Sequence, residues 1–358
     1  MVHWSQRWER SVLFAALALV VASGVAMASA AATINPALAY RHWAWTVVGV
    51  AACLAVSTTN YMRWTDAATG LYVVSLLALI VVEVAGVARL GAARWLSIFG
   101  LSIQPSELAK LSTVLLLARH LAGQPAPLPA GVVWTSMLLV APPALLIFIQ
   151  PDLGSATILW AIWLGMIFIA GASRRLLLGV AGAALALAPL GWHFLKDYQR
   201  DRLLVFMNPH IDPLGAGYTI IQSTIAIGSG GLTGRGWFSG TQNQLSFLPE
   251  RHSDFIFSVI GEEWGLAGCL LVAALFIVLL SRMLAVALRA SEPQGRLCAA
   301  GIASWIGYQA FVNMGMVMGV LPVVGVPLPL VSYGGSSMVM IWLALGLIHS
   351  VQARELLP

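Results

Sequence analysis

The chain has 358 residues, of which 59% are hydrophobic and only 9% are charged. Its mean hydropathy is +0.86. Soluble globular domains carry about 25% charged residues, so the composition excludes a soluble protein and predicts an integral membrane protein. The formal net charge of +5 does not indicate a nucleic-acid partner, because in membrane proteins the placement of Lys and Arg matters more than their sum.

Ten apolar runs are long enough to cross a bilayer, which takes about 17–25 residues as a helix. The first follows Arg7 and Arg10 and ends in ASAAA, which resembles a signal-peptide cleavage site. Because this run is longer than a typical signal core, it is interpreted as an uncleaved helix. The fourth is the most polar, since it carries Glu107 and Lys110. The predicted spans are 11–31, 43–59, 71–89, 105–121, 131–149, 153–171, 176–194, 255–284, 298–321 and 335–351.

The arginines orient these spans. With the N-terminus inside, the short outside connections hold only Arg41, Arg89 and Arg94, and the positive-inside rule is satisfied. An even number of spans then places both termini in the cytoplasm. The arginines on the inside are Arg7, Arg10, Arg63, Arg119, Arg174, Arg175, Arg282, Arg289, Arg296 and Arg354.

Residues 195–253 form one long polar connection, outside the membrane in this topology. Long loops in compact proteins are functional or disordered, and the aromatic and branched residues interleaved here favour an ordered extracellular cap. The glycines of IGSGGLTGRG match no nucleotide fingerprint and are interpreted as tight turns. The predicted fold is therefore an all-α integral membrane protein: a single polytopic domain over 1–358, with about ten transmembrane helices and one large extracellular loop.

Asp254 lies where this loop meets the eighth span. One interpretation is an N-cap, in which Ser253 or Asp254 accepts hydrogen bonds from free backbone N–H groups. The other is a carboxylate held at the outer membrane surface as a general base. The two are compatible.

Glu107 and Lys110 lie three residues apart, on one face of the fourth span. They predict either an internal ion pair that satisfies two costly charges or a polar cavity in which Lys110 meets a phosphate. The start of this span and Asp254 fall at the same membrane surface, which favours the second interpretation.

Other polar residues carry open alternatives. Arg94 and Trp95 fit an interfacial anchor or a binding role. Arg200 and Arg202 fit solvated loop charges or ligands of a diphosphate, and Asp152 fits a turn residue or a site residue. Glu262 and Glu263, inside the eighth span, are not assigned to catalysis. The cysteines Cys53, Cys269 and Cys298 predict helix packing rather than a disulfide or zinc site.

Several stretches together resemble one family, the SEDS proteins (shape, elongation, division and sporulation) that polymerise the bacterial cell-wall glycan. The ending VVGVPLPLVSYGG and the short tails resemble its RodA branch, with the FtsW branch as the nearest alternative. Two positions depart from the family pattern: Ser253 replaces a common Thr, and Ala93 a common Arg. The stretches are ARWL (93–96), QPSELAK (104–110), QPDLGSA (150–156), DYQRDR (197–202), NPHIDPLGAGYTIIQSTIAIGSGGLTGRGW (208–237), GTQNQLSFLPERHSDFIFSVIGEEWG (240–265) and LPVVGVPLPLVSYGGSS (321–337).

The resemblance implies a substrate and a set of site residues. The substrate would be lipid II, a disaccharide-pentapeptide on undecaprenyl diphosphate, and the family's essential aspartate falls on Asp254. Glu107 and Lys110 join Asp254 as predicted catalytic residues. The predicted substrate contacts are Arg94, Trp95, Gln104, Ser106, Asp152, Arg200, Arg202 and His252.

The implied reaction is one inverting displacement at a sugar that is α-linked to diphosphate, which gives a β-1,4 glycan. Asp254 would accept the proton of the attacking 4-hydroxyl. Lys110, Arg200 and Arg94 would stabilise the leaving diphosphate, with or without a divalent cation, magnesium or manganese. An apolar groove between helices would let the lipid chains stay in the membrane.

The resemblance also implies partners and a location. The partners would be a class B penicillin-binding protein, other membrane proteins of the elongation complex and membrane lipid. The location would be the bacterial inner membrane, with the site on its extracytoplasmic side. Two rival functions stay open: a lipid II flippase or transporter, and a scaffold without chemistry that recruits other wall enzymes.

Overall fold

The computed structural model of the protein describes residues 10–89, 92–98, 101–215 and 217–355. Over this part of the chain it forms fourteen α-helices and three short strands. Arg7, which the predicted topology places on the cytoplasmic side, lies outside the described residues. The helices are α1 (Arg10–Ala32), α2 (Ala37–Ser57), α3 (Tyr61–Asp66), α4 (Ala68–Ala85), α5 (Pro105–Leu121), α6 (Ala130–Ile149), α7 (Leu153–Ile169), α8 (Arg174–Phe194), α9 (Asp197–Met207), α10 (Tyr218–Ser229), α11 (Thr241–Gln244), α12 (Ile256–Arg289), α13 (Pro293–Val317) and α14 (Gly335–Glu355). The strands are β1 (Val87–Arg89), β2 (Ala92–Ile98) and β3 (Leu101–Ile103).

The all-α membrane fold is confirmed. Each predicted span coincides with one long helix: α1, α2, α4 to α8 and α12 to α14. Within the described residues, α1, α6, α8, α12 and α14 are by themselves long and apolar enough to cross a membrane, and α4 and α7 are shorter apolar helices. The chain is therefore a multi-pass membrane protein. The number of ten crossings and their direction stay predictions.

The more polar helices lie inside the bundle, which explains why their hydropathy is low. Helix α13 packs against α5, α7, α12 and α14, and its Gln309 and Asn313 are fully buried. A helix that is surrounded by protein can carry polar groups that bond to neighbours, whereas a helix that faces lipid cannot.

The third predicted span runs too far. Helix α4 ends at Ala85, and Gly86 has an extended backbone (φ −70°, ψ 148°) that leads into β1. The strands β1, β2 and β3 form a small antiparallel sheet in that order, which places Arg94 and Trp95 on the central strand. Strands of three to seven residues lack the periodicity by which a sequence reveals longer ones.

The long connection 195–253 contains helices α9, α10 and α11 and a 3₁₀ turn at Pro209–Ile211. Helix α10 packs on α12, where Ser223 Oγ lies 2.9 Å from Ser258 Oγ and donates to Val317 O. The extracellular position of this segment stays a prediction, because the structure carries no membrane.

Helix α12 is broken at Gly265, which has a φ of +66°. The glycine-rich turn 230–236 fills the break: Gly231 O accepts from Leu266 N, and Glu262 O accepts from Arg235 N. Gly231, Gly234 and Gly236 also have positive φ, as expected of tight turns. The backbone groups freed by the break are thus paired with protein, which a helix at membrane depth requires.

Candidate functional site

Four connections between the long helices meet at one end of the bundle and bring charged and polar side chains together at a place that we call the cleft. Arg94 lies on β2, in the connection between α4 and α5, and Asp152 lies in the connection between α6 and α7. Arg202, on α9, and Asp254 both lie in the connection between α8 and α12. The fourth connection is the loop 318–334 between α13 and α14, whose Val323 O accepts from Arg202 Nη1 at 3.3 Å. In the predicted topology all four lie on the outer side, which agrees with their meeting here.

Asp254 presents a carboxylate without a hydrogen-bond donor from the described residues. Its backbone oxygen accepts from Asn313 Nδ2 at 2.9 Å, and its Oδ2 lies 3.4 Å from the position that a Cβ on Gly325 would occupy. Helix α12 begins after Phe255 without a side-chain cap, so the predicted N-cap role of Ser253 or Asp254 is wrong. Ser253 Oγ instead donates to Glu250 Oε2 at 3.1 Å.

The surroundings favour the protonated form of Asp254. Burial is the main cause that raises its pKa, to about 7, and the carboxylates of Glu250 and Asp152 add to the rise. The positive charges of Arg202 and Arg94 act in the opposite direction. A carboxylate that titrates near neutral pH can take up a proton in a reaction at physiological pH.

Asp152 is buried and caps helix α7: its Oδ1 accepts from Ser155 N at 3.1 Å. Its Oδ2 lies 3.4 Å from the Nε2 of Gln104, which donates to it. Asp152 is thus a turn residue and a member of the cleft at once. Ser106, in the first turn of α5, is buried, and its Oγ has no hydrogen-bond partner within the described part of the chain.

Two arginines and a tyrosine line the cleft. Arg94 Nε donates to Gln150 O at 3.0 Å, and its Nη2 donates to Pro151 O. Tyr198 Oη also approaches Pro151 O, at 3.4 Å, and its ring centroid lies 5.9 Å from the guanidinium carbon of Arg202. Trp95 is half-buried and pairs in register with Val87. Sequence reasoning missed Tyr198, although it stands in the DYQRDR stretch.

Arg200 lies away from this cleft. Its guanidinium donates to Trp192 O and His193 O at the end of α8, both at 3.2 Å, and lies 3.5 Å from the exposed Asp197 carboxylate. His252 lies nearer the site, with Nε2 3.9 Å from Glu250 Oε2. The structure therefore brings together Arg94, Gln104, Asp152, Arg202 and Asp254 and leaves Arg200 on the surface; the substrate contacts themselves stay predictions.

Glu107 and Lys110 form a buried ion pair beneath the cleft. Lys110 Nζ lies 2.8 Å from Glu107 Oε1, and the two side chains are 2% (Glu107) and 1% (Lys110) exposed. The ammonium also donates to Gln309 Oε1 at 3.3 Å and lies 5.0 Å from the ring of Trp305. This packing favours the internal ion pair over an open phosphate contact, and the catalytic role of the two residues stays a prediction.

A relay on α13 joins this pair to Asp254. Gln309 Nε2 donates to Pro327 O at 2.9 Å, and one turn later Asn313 Nδ2 donates to Val326 O and to Asp254 O. The backbone of 252–254 is also fixed from the other side, because Ser332 Oγ donates to Ser253 O. The buried polar groups therefore position the loop that carries Asp254.

Metal ligation by protein alone has little support at this cleft. Among the described residues, no group of three or more His, Cys, Asp and Glu side chains has a metal-binding arrangement. The carboxylates of Asp152 and Asp254 are close enough to influence each other electrostatically. One carboxylate, here that of Asp152, is a typical protein contribution to a magnesium site that a substrate phosphate completes.

Residues 7–356 match the family described as "Cell cycle protein", which comprises FtsW, RodA and SpoVE. The chain is 46% identical to the peptidoglycan glycosyltransferase MrdB of Escherichia coli K12 over 287 residues, or 80% of this chain and 77% of that protein. It is 32% identical to the peptidoglycan glycosyltransferase RodA of Treponema pallidum, over 87% of this chain and 89% of that protein.

Solved structures share the fold along the whole length. One, described as "Structural coordination of polymerization and crosslinking by a peptidoglycan synthase complex", superposes with a TM-score of 0.85 at 36% identity and covers 98% of both chains. The crystal structure of the rod shape determining protein RodA of Thermus thermophilus superposes with a TM-score of 0.74 at 31% identity and covers 99% of both chains.

Proposed function

The chain belongs to the FtsW, RodA and SpoVE family, and from this premise we propose a mechanism in which Asp254 is the general base of glycan polymerisation. The chain is a peptidoglycan glycosyltransferase, the activity for which its relatives from Escherichia coli and Treponema pallidum are named. The flippase is not favoured. The finer points, namely lipid II as substrate, inversion at the sugar and a role in rod-shape elongation, belong to the proposal.

The free carboxylate of Asp254 carries the proposal. A hydroxyl that attacks a sugar carbon must lose its proton, and a base within about 2.6–3.2 Å can accept it. No donor from the described residues occupies the carboxylate oxygens of Asp254, and its pKa is raised to about 7. A base whose pKa lies near the working pH combines an adequate ionised fraction with an adequate driving force.

Two arginines complement this base. The leaving diphosphate gains negative charge as the glycosidic bond breaks, and fixed cations stabilise such charge best when they are already in place. Arg202 and Arg94 are held by the carbonyls of Val323, Gln150 and Pro151 rather than by carboxylates. Their charge is therefore available to a phosphate in the cleft. Asp152 is the side chain that would hold a magnesium or manganese ion beside the diphosphate, and the ion would neutralise phosphate charge.

The proposed setting is the bacterial inner membrane, with the cleft on the extracytoplasmic side. Lipid II would place its diphosphate at the cleft and its isoprenoid chain in the bilayer. The structural relative described as a peptidoglycan synthase complex couples polymerisation with crosslinking. This supports a class B penicillin-binding protein as the partner, together with other elongation proteins.

Polymerisation of labelled lipid II by the purified protein, alone and with its cognate penicillin-binding protein, tests the proposal. Asp254→Asn keeps the shape but removes the base, and the rate should fall by about 10²–10⁴-fold. The matched control is Asp201→Asn, which neutralises an exposed carboxylate in the same connection and should retain the wild-type rate.

The outcomes separate the rival functions. A glycan ladder that persists in Asp254→Asn would contradict the role of Asp254 but leave the polymerase standing. A wild-type protein that makes no ladder even with its partner, yet moves lipid II across vesicles, would favour the flippase. A scaffold would make no glycan and tolerate neutralisation of every cleft charge.

A further inference from the structure

A second group of buried charges lies apart from the cleft, where α1, α11 and α12 meet. We call it the junction cluster: Ser29, Asn243, Arg251, Glu262 and Glu263. Each of these side chains is at most 2% exposed. Glu262 and Glu263 lie eight and nine residues beyond Asp254, which is about 12 Å along a helix. The proposed mechanism uses none of them.

Glu262 is fully satisfied as a carboxylate. Its Oε1 accepts from Gln242 N at 2.8 Å and from Thr241 Oγ1 at 3.3 Å, and its Oε2 accepts from Asn243 N at 3.2 Å. Both oxygens of the Glu262 carboxylate thus have donors within the described residues, and this carboxylate needs no further partner.

Glu263 is only half satisfied. Its Oε1 accepts from Ser29 Oγ at 2.5 Å and from Asn243 Nδ2 at 3.0 Å. Its Oε2 is buried without a hydrogen-bond partner among the described residues, and so are Asn243 Oδ1 and Gln242 Oε1. The Asn243 amide orientation is fixed, because its Nδ2 also donates to Ser29 Oγ.

All three unpartnered atoms are acceptor oxygens. Buried polar atoms in native proteins nearly always have a partner, so a group that supplies positive charge or donors is missing at this place. The Phe238 backbone N–H also lies near the Glu263 carboxylate, but Oε2 still has no hydrogen-bond partner among the described residues.

The charges of the cluster do not balance. Arg251 Nε donates to Ala30 O at 3.0 Å and its Nη1 to Ser246 Oγ at 3.2 Å, and its remaining hydrogen bonds go to the neutral oxygens of Asn243 and Thr33. Arg235 Nη1 reaches Glu262 only through Thr241 Oγ1, and this arginine is exposed, so solvent screens its charge. Among the buried groups, two carboxylates against one guanidinium leave one excess negative charge. An unbalanced charge inside protein at membrane depth is costly, and a bound counter-ion removes the cost.

We propose that one monovalent cation of the hard, oxygen-seeking class of sodium binds between Glu263 Oε2, Asn243 Oδ1 and Gln242 Oε1. The ligand atoms are all oxygens, which suits hard cations rather than soft transition metals. A single positive charge restores neutrality, whereas a divalent ion would leave an excess. The site also adjoins the break at Gly265, and broken membrane helices are recurrent sites for such ions.

The ion has a structural consequence for the cleft. Asn243 belongs to the short helix α11, and the chain runs from there through Arg251 to Asp254. A cation that joins α11 to α12 would therefore order the segment that carries the proposed base. A ligand that binds only the folded state raises the free energy of unfolding, and the increase grows with the logarithm of the ligand concentration once that concentration exceeds Kd.

Thermal unfolding of the full-length protein in nanodiscs tests the site, with tryptophan fluorescence as the readout. Chloride salts of sodium, potassium, magnesium and calcium are titrated at several pH values up to pH 8, and choline chloride keeps the ionic strength constant. Sodium should raise Tm by at least about 2 °C between 1 and 100 mM. Glu263→Gln should lose this rise, and its Tm in choline chloride should equal or exceed that of the wild type because the uncompensated charge is gone. Glu292→Gln, an exposed control that precedes α13, should retain the rise.

Each other outcome overturns the proposal. A Tm that is independent of cations but falls with rising pH would assign the missing positive charge to a proton on Glu263. A larger rise with calcium or magnesium than with sodium that is lost in Glu263→Gln would exclude the monovalent class, because a rise at the cleft would persist in that variant. A sodium response that survives in Glu263→Gln would place the ion elsewhere, and a flat response in the wild type at all pH values would leave only water between these oxygens.

Discussion

Two groups of side chains, each with both acidic and basic members, lie close together in the bundle. They differ in whether their charged atoms are open to a substrate or enclosed by protein. The cleft group comprises Arg94, Asp152, Arg202 and Asp254, and its Asp254 carboxylate has no donor from the described residues. The buried pair, Glu107 and Lys110, is closed: each side chain is at most 2% exposed, and the ammonium has two oxygen partners.

The difference shows which charges can take part in chemistry. A buried pair of this kind can position a neighbouring loop, but its burial keeps it from a substrate, including the Glu107 Oε2 that has no hydrogen-bond partner among the described residues. A carboxylate that lies near two arginines and lacks a donor can exchange a proton with a bound hydroxyl. Both groups combine acidic with basic side chains, so charge alone does not decide the role, and packing does.

Breaking the buried pair should have the largest effect on stability. Lys110→Met leaves Glu107 buried and uncompensated, which typically costs about 3–5 kcal/mol, whereas the double variant Glu107→Gln/Lys110→Met removes both charges and should recover most of the loss. Unfolding temperature and polymerisation rate are measured together. A double variant that is stable but inactive would instead support the predicted contact of Lys110 with phosphate.

The cleft group should respond in rate rather than in stability. Arg202→Gln removes a fixed cation, and by analogy with other electrostatic sites the polymerisation rate should fall by about 10²–10³-fold. Arg200→Gln is the matched control, two residues away on the same helix, and should change the rate less than about threefold. Equal losses in both variants would show that the diphosphate binds outside the cleft.

The pH dependence should follow the ionisation of Asp254. With a pKa of about 7, the ionised base falls about tenfold per pH unit below neutrality, so the rate should rise from pH 5 to pH 7 and level off near pH 8. A profile that is flat over this range in the wild type would contradict Asp254 as the base.

The same pKa has a consequence for stability. The folded pKa of Asp254 lies above the ordinary value of 3.8, so the contribution of this carboxyl group to stability is fully present below about pH 4. That contribution is lost as the pH rises through about 7. Asp254→Asn has no such loss. Its unfolding temperature should therefore exceed that of the wild type at pH 8 and match it more closely at pH 5.

The sequence predicted the ten long helices because an apolar run of membrane length is rare in any segment that does not cross a bilayer. It could not tell Arg200 from Arg202, since both belong to the predicted loop. The structure makes 197–207 helical, and residues two apart on a helix point to different sides, so only one arginine faces the cleft. The N-cap interpretation of Asp254 failed because α12 begins one residue later and without a side-chain cap.

The break in α12 at Gly265 and the burial of Arg251 could not be predicted from the sequence either. Both depend on partners that are distant along the chain, namely the turn 230–236 and the end of α1 at Ala30 and Thr33. Hydropathy reports the immediate surroundings of a helix but not which loop returns to fill a gap in it. The resemblance to a family identified Asp254 as the essential aspartate, and the packing then explained why its carboxylate is free.

The relay between the two groups gives the smallest expected effect. Asn313→Ala removes two hydrogen bonds, to Asp254 O and Val326 O, and should cost about 1–3 kcal/mol of stability. Because Asn313 fixes the backbone of the base and does not face the substrate, kcat should fall while KM for lipid II changes little. Asn313→Asp retains the size but places a negative charge beside Asp254. This charge should raise the pKa of Asp254 and so shift the rise of the rate with pH to higher pH. A merely structural asparagine would lower stability in both variants and leave the profile unmoved, so the shift decides whether the relay reaches the base.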